Sequence, residues 1–181
     1  MMRAFLFWLT GRLPCRIISD GDQPYLERYY VATILGWRFY LHRFVASDPD
    51  RGLHDHPWTR AFSIVLSGWY WEQTRSGERR VAWLNSLTGD TFHRVVLPHG
   101  RTEHRVPGHL RKIGDTLGAP VVPCWTLFFH RTGHRKPWGF WHSLGPGVAI
   151  FEEYQYPKEG NQRHWWLRAP KGHAEPRRMP R

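Results

Sequence analysis

Gly52-Leu53-His54-Asp55-His56-Pro57-Trp58-Thr59-Arg60-Ala61-Phe62-Ser63-Ile64-Val65-Leu66-Ser67-Gly68 is the stretch that decides the fold. It follows a dense turn, Ser47-Asp48-Pro49-Asp50-Arg51, and runs into a β-branched segment closed by glycine. On extended backbone His54 and His56 leave the same face and Asp55 the other, so two imidazoles can reach one metal ion. The spacing alone decides little. Twelve histidines in 181 residues give about one His-x-His pair by chance.

The surrounding sequence reads as strands and turns. Runs 28–35 and 37–45 flank Gly36 in a hairpin-like pair, and 61–66, 69–74, 79–84 and 91–97 follow, punctuated by Gly68, Gly77 and Gly89. Strand signals return at 121–131, 138–141 and 148–155. Short strands at this spacing predict an all-β sandwich or barrel rather than alternating strands and helices. Alternation puts Trp125, Leu127 and Phe129 on one face, read as a wall of the barrel, with His130 on the other. Residues 98–120 are rich in glycine, proline and charge and read as an inserted loop. The organisation expected is an N-terminal segment (1–24), a barrel (25–156) and a basic tail (157–181).

Composition bounds the class. The chain is 41% apolar and 15% aromatic, enough for one core and too much for a disordered chain. Its 26 Lys and Arg against 15 Asp and Glu give a net charge of +11, and only four of the 26 are Lys. Arginine in this excess suits carboxylates, phosphates or nucleic acid. Two cysteines, Cys15 and Cys124, form no disulfide framework and no zinc ribbon. Near the N-terminus the apolar run Ala4 to Leu9 is shorter than the roughly 7–15 residues of a secretory core, and no stretch approaches the roughly 18 needed to span a membrane. A short helix packed on the barrel or a partner is expected there, in a cytoplasmic protein.

The opening stretch resembles the first motif of the cupin superfamily: His-x-His, a short gap to a glutamate, and a strand closing at glycine. The glutamate is missing, because Ala61 stands at its place. A second cupin motif carries one more histidine on a later strand. Gly89-Asp90-Thr91-Phe92-His93-Arg94-Val95 offers His93, preferred because it sits in a clean alternating strand; Pro98-His99-Gly100-Arg101-Thr102-Glu103-His104 offers His104 as the substitute. Together with 25–29, 125–128 and 138–140, these segments look like a small group of cupin-like proteins of bacteria and phages. The resemblance covers about 25–154. It implies a double-stranded β-helix, or jelly-roll barrel, around a divalent metal.

Three neutral imidazoles without a carboxylate leave the metal its full charge and open positions. Three-histidine cupins include thiol dioxygenases, so the resemblance implies iron(II) and dioxygen acting on a small molecule or a peptide residue. Zinc or manganese, in an isomerase or hydrolase, and a ligand-binding module without catalysis are the alternatives. Glu72, on the next strand, is a candidate further ligand. Arg60 and Arg94, near the histidines in sequence, are candidates to orient an anionic substrate. As partners, nonspecific nucleic-acid contact through the basic tail and a homodimer stay open.

Overall fold

The computed structural model describes residues 1–100, 120–133, 135–145, 148–155 and 164–181. Almost all of the regular structure is strand. A helix, α1 (Met2–Thr10), precedes β1 (Cys15–Asp20), β2 (Gln23–Ile34), β3 (Trp37–Phe44), β4 (Leu53–His54), β5 (Arg60–Ser67) and β6 (Tyr70–Thr74). Then come β7 (Gly77–Val81), β8 (Leu84–Thr88), β9 (His93–Val96), β10 (Cys124–Arg131), β11 (Gly139–Gly145) and β12 (Val148–Glu153).

The strands form two six-stranded antiparallel sheets, ordered β1-β2-β3-β10-β5-β8 and β12-β11-β4-β9-β6-β7. Within them β3 pairs β10, β4 pairs β9, β5 pairs β8 and β6 pairs β7. First with last, second with next to last, and so inward: this is one long antiparallel ribbon wound into two sheets, the double-stranded β-helix. The fold expected from the sequence is therefore the fold observed. The outer strands β1, β2, β11 and β12 extend it.

The β2–β3 hairpin turns through Leu35 and Gly36, both at positive φ (49° and 75°), the conformation a two-residue primed turn requires. From Ile34↔Trp37 the register runs regularly to Ala32↔Phe39, then slips by one residue at Val31, giving Arg28↔His42 and Glu27↔Arg43. Directly opposed residues share a face. The slip therefore places Arg28 with His42, which line the space between the sheets, and Glu27 with Arg43 on the outer side.

On that outer side lies a cluster that sequence alternation assigns to the barrel wall. Trp125 packs with Leu6 of α1, Cys15, Ile17, Tyr29 and Leu41, and Leu127 lies against them. Phe129 joins Trp37, Phe39 and Phe62. It is Phe128 that faces the interior. Both faces of β10 are apolar because α1 and the C-terminal segment cover the outer one, so the pattern alone cannot tell in from out. Strand β1 within the N-terminal segment is also additional to the expected organisation.

The described part of the tail is docked. Met179 N donates to Glu27 Oε1 (2.8 Å), Arg43 donates to the carbonyls of Met179 and Pro180, and Arg178 donates to Tyr29 Oη, Phe7 O and Thr10 Oγ1. Trp166 stacks on Tyr30 at 4.3 Å, and Trp165 is buried. Glu27 is 0% exposed and also accepts from Tyr29 Oη (2.6 Å) and Arg43 (3.2 Å). Replacing Glu27 with Ala leaves the buried Arg43 guanidinium without its counter-charge. The expected loss, about 3–5 kcal/mol, is read as a shift of the urea unfolding midpoint.

Candidate metal centre

His54, His56 and His93 come together between the sheets, their ligating nitrogens all within 4.8 Å of one another. Two elements deliver them. His54 ends β4, whose backbone lies between Phe140 of β11 and His93 of β9 in one cross-strand row. His56 follows two residues later, and Asp55 between them turns the other way, as alternation predicts. Its buried carboxylate accepts from Gly139 N (2.7 Å) and pairs with Lys136 Nζ (2.5 Å), while its own N–H donates to Gly139 O (3.1 Å). The residue between the two histidines thus pins their loop to β11. Gly52 permits the approach: its φ is +88°, and a Cβ there would meet Trp141 O of β11 at 2.6 Å.

His93 is 4% exposed and held at both ends of its ring. Nδ1 lies 2.8 Å from Glu72 Oε1 and Nε2 lies 2.8 Å from His56 Nε2. Glu72 is ionised and accepts at Oε1 from His93 Nδ1, which leaves Nε2 as the ring nitrogen that faces His56. Burial alone would raise the Glu72 carboxyl, but the hydrogen bond and charge of His93, then Asn85 and Arg79, hold it below its ordinary range. Arg79 Nη2 stands 2.5 Å from Glu72 Oε2, and Asn85 Nδ2 donates to Oε1 at 2.6 Å. Glu72 is therefore placed behind His93, not beside the histidine nitrogens where a further ligand would stand.

The donor set fits a divalent metal. Burial pushes the His54 and His56 imidazoles well below their ordinary pKa, so both are neutral, the form that ligates. Nitrogens bound at about 2.1 Å in adjacent octahedral positions stand about 3.0 Å apart, close to the observed His56–His93 separation. Among the described residues no carboxylate belongs to the group, in keeping with Ala61 where the cupin first motif has a glutamate. His104 lies outside the described residues.

A cavity of about 400 Å³ opens onto the three histidines. Trp58, Phe128, Trp138 and Phe140 contribute aromatic wall, and Arg16, Arg28 and Arg51 contribute guanidinium. Arg60 is exposed at the start of β5, opposite Thr88. Arg94 points away from His93 and pairs with Asp50 at 2.5 Å, its Nε donating to Asp48 O. Neither is among the cavity-lining residues.

Two further histidines belong to this interior. His42 stacks on Phe128 (4.8 Å) and accepts at Nε2 from Arg28 Nε (3.0 Å). His130 is 2% exposed, stacks on Trp58 (4.5 Å) and donates from Nδ1 to Arg131 O. Trp58 in turn stacks on His56 at 4.5 Å. Sequence reasoning treats His130 as more commonly a surface residue and misses Arg28 and His42 as lining, because the slip at Val31 that aligns them leaves no signal in composition.

No family model and no curated protein sequence matches this chain. Among solved structures, a cupin-2 domain protein of Rhodospirillum rubrum is similar over 68% of this chain and 72% of its own, with 12% identity and a TM-score of 0.47. A sugar phosphate isomerase of the cupin superfamily from Silicibacter pomeroyi is similar over 78% and 87%, with 14% identity and a TM-score of 0.45. For Fe(II) HppE the shares are 65% and 56%, at 8% identity and a TM-score of 0.44. The nested pairing of β3 to β10 gives the double-stranded β-helix without reference to these neighbours.

Glu72→Gln keeps the shape but gives His93 a weaker acceptor. Metal affinity, measured by competition with a chelator, is expected to fall about 10–100-fold. Stability also carries a pH signature. Burial lowers His42 well below its ordinary pKa and His130 to about 3, so the unfolded chain takes up more protons below about pH 6.5 and the stability contributed by neutral burial is lost as pH falls. The urea midpoint at about pH 5 is expected below that at about pH 7.5, and replacing His130 by Phe should flatten the difference.

Proposed function

We propose that the chain is a metal-dependent cupin enzyme in which His54, His56 and His93 hold iron(II), and that it oxygenates a small anionic molecule bound in the cavity. The observation that carries this reading is a carboxylate-free group of three histidines, neutral at His54 and His56, at the end of an aromatic cavity. An iron(II) bound there would supply the electrons that let dioxygen react with a closed-shell substrate.

The residues around it supply the rest. Glu72 fixes the tautomer and tilt of His93, and Asp55 fixes the spacing of His54 and His56. The aromatic walls keep bulk water from the reacting atoms, which strengthens every charge interaction inside. Arg16, Arg28 and Arg51 are the guanidinium groups of the cavity lining, and Asp48 is the one carboxylate among the described lining residues. Burial pushes the Asp48 carboxyl up toward its neutral form. A carboxylate or phosphate is thus the charge the cavity favours, and Arg28, steadied by His42, is the residue assigned to it in place of Arg60 or Arg94.

Protein loaded anaerobically with iron(II) is mixed with oxygenated buffer and a panel of small carboxylates and thiols, and oxygen uptake is followed. Turnover is expected with at least one carboxylate, absent in His54→Ala and in zinc-loaded protein. Arg28→Gln should raise KM about tenfold or more while metal content stays at the wild-type level. Turnover or tight binding with zinc or manganese, and no oxygen uptake with iron, would instead mean an isomerase or hydrolase, or a binding module.

A further inference from the structure

The proposed chemistry uses the space between the sheets and leaves unexplained the opposite side of the β1-β2-β3 sheet, where α1 and the C-terminal segment lie. Helix α1 is fixed there by its inward residues: Leu6 and Thr10 are buried, and Thr10 Oγ1 receives Arg178. Its outward face is apolar. Phe5 and Trp8 are each 54% exposed and stack on one another, and Met1 and Met2 continue the stripe. Positions 1, 5 and 8 lie on one side of a helix. Among the described residues nothing covers this stripe, and an exposed apolar patch of this kind marks an interaction surface.

The segments that carry and border the stripe are basic. Residues 1–19 hold three arginines and no acid, of which Arg16 lines the cavity between the sheets, and residues 164–181 hold five Lys or Arg against Glu175 alone. Most of the net charge of +11 sits on these two segments. Arg12 lies over the Trp8 ring at 3.8 Å. Beside it a groove is lined by Phe7, Trp8, Arg12, His173 and Arg178, with His173 Nδ1 donating to Gly11 O.

We propose that this face docks on an anionic phospholipid bilayer, with Phe5 and Trp8 entering the headgroup–acyl boundary and the surrounding arginines meeting lipid phosphates. An apolar stripe of Phe, Trp and Met bordered by arginine is the composition of an interfacial helix. A second copy of this chain is disfavoured as the occupant, because two such faces would bring like charge against like charge. Nucleic acid would account for the arginines but not for Met1 and Met2 beside the aromatics. The contact is with the surface only, since no helix among the described residues is long and apolar enough to cross a membrane.

The test is flotation of the metal-loaded full chain with vesicles. Binding is expected to phosphatidylcholine–phosphatidylglycerol vesicles at roughly 7:3, and little to phosphatidylcholine alone. Phe5→Ser with Trp8→Ser should weaken it about tenfold or more, as should the reversal Arg12→Glu with Arg181→Glu, two exposed arginines of the groove beside Trp8. Trp83→Ser, at an exposed tryptophan just before β8 that belongs to neither the stripe nor the groove (73% exposed), should change nothing. Thermal melting and metal content verify that each variant is folded, and the two double variants back each other should one fail to fold. The proposal is overturned if the wild type does not float, or if it floats equally well without Phe5 and Trp8. It is equally overturned if the Phe5–Trp8 variant instead dissolves a dimer seen by sedimentation, or abolishes binding to a DNA oligonucleotide. Metal content and oxygen uptake read the cavity separately, so failure here leaves the proposed reaction standing.

Discussion

The extra residue at Val31 governs what each face of the β2–β3 hairpin carries. A regular hairpin from the Leu35–Gly36 turn would set Arg28 opposite Arg43, two cations facing one another, and Glu27 opposite Phe44. The slip sets Glu27 against Arg43 and Arg28 against His42. Like charges opposed across a ladder destabilise it, whereas opposite charges or a donor and an acceptor stabilise it. The outer pair then receives the C-terminal segment, and the inner pair lines the cavity. One bulge thereby links the anchoring of residues 178–180 to the lining of the site.

The site itself is arranged as a set of side chains each held from behind. Asp55 fixes the His54–His56 loop to β11, Glu72 holds His93, and Trp58 lies between His56 and His130. Glu72 is in turn satisfied by Asn85 and Arg79, so its charge is stabilised although it is buried. This is the supporting layer that a metal held by the three histidines would need for ligand geometry to be set in advance. Ala61, where the cupin first motif has a glutamate, is compatible with it: the carboxylate that this site holds, Glu72, accepts from His93 behind the histidine nitrogens.

Much of this was legible in the residues. The glycine-punctuated strands, the turn before His54 and the alternation around His93 point to the winding that is observed and to the three histidines that meet. Other parts were not legible, for physical reasons. Alternation in β10 could not separate Trp125 from Phe128, because both faces of that strand are buried. Arg28 and His42 meet only through a bulge, a property of backbone register that no side-chain pattern records. The tail reads from its composition as a basic segment, and that composition does not record that Arg178 and Met179 are tied to Tyr29 and Glu27 by hydrogen bonds whose donors or acceptors lie about 150 positions apart.

That last separation bears on how the chain reaches its native state. Glu27 and Arg43 form their outer-face bonds with backbone near residue 179, and β3 finds its jelly-roll partner only in β10. Loops this long close at an entropic cost that precedes the contacts rewarding it. While the chain is being made, the first two strands of the ribbon therefore carry buried charges not yet fully satisfied and an apolar outer face not yet covered. Folding of the β2–β3 hairpin therefore waits on residues 178–180: a segment made about 150 positions later completes the environment of Glu27 and Arg43, and a chain stopped short of it would leave those groups and the aromatic cluster beneath α1 unfinished.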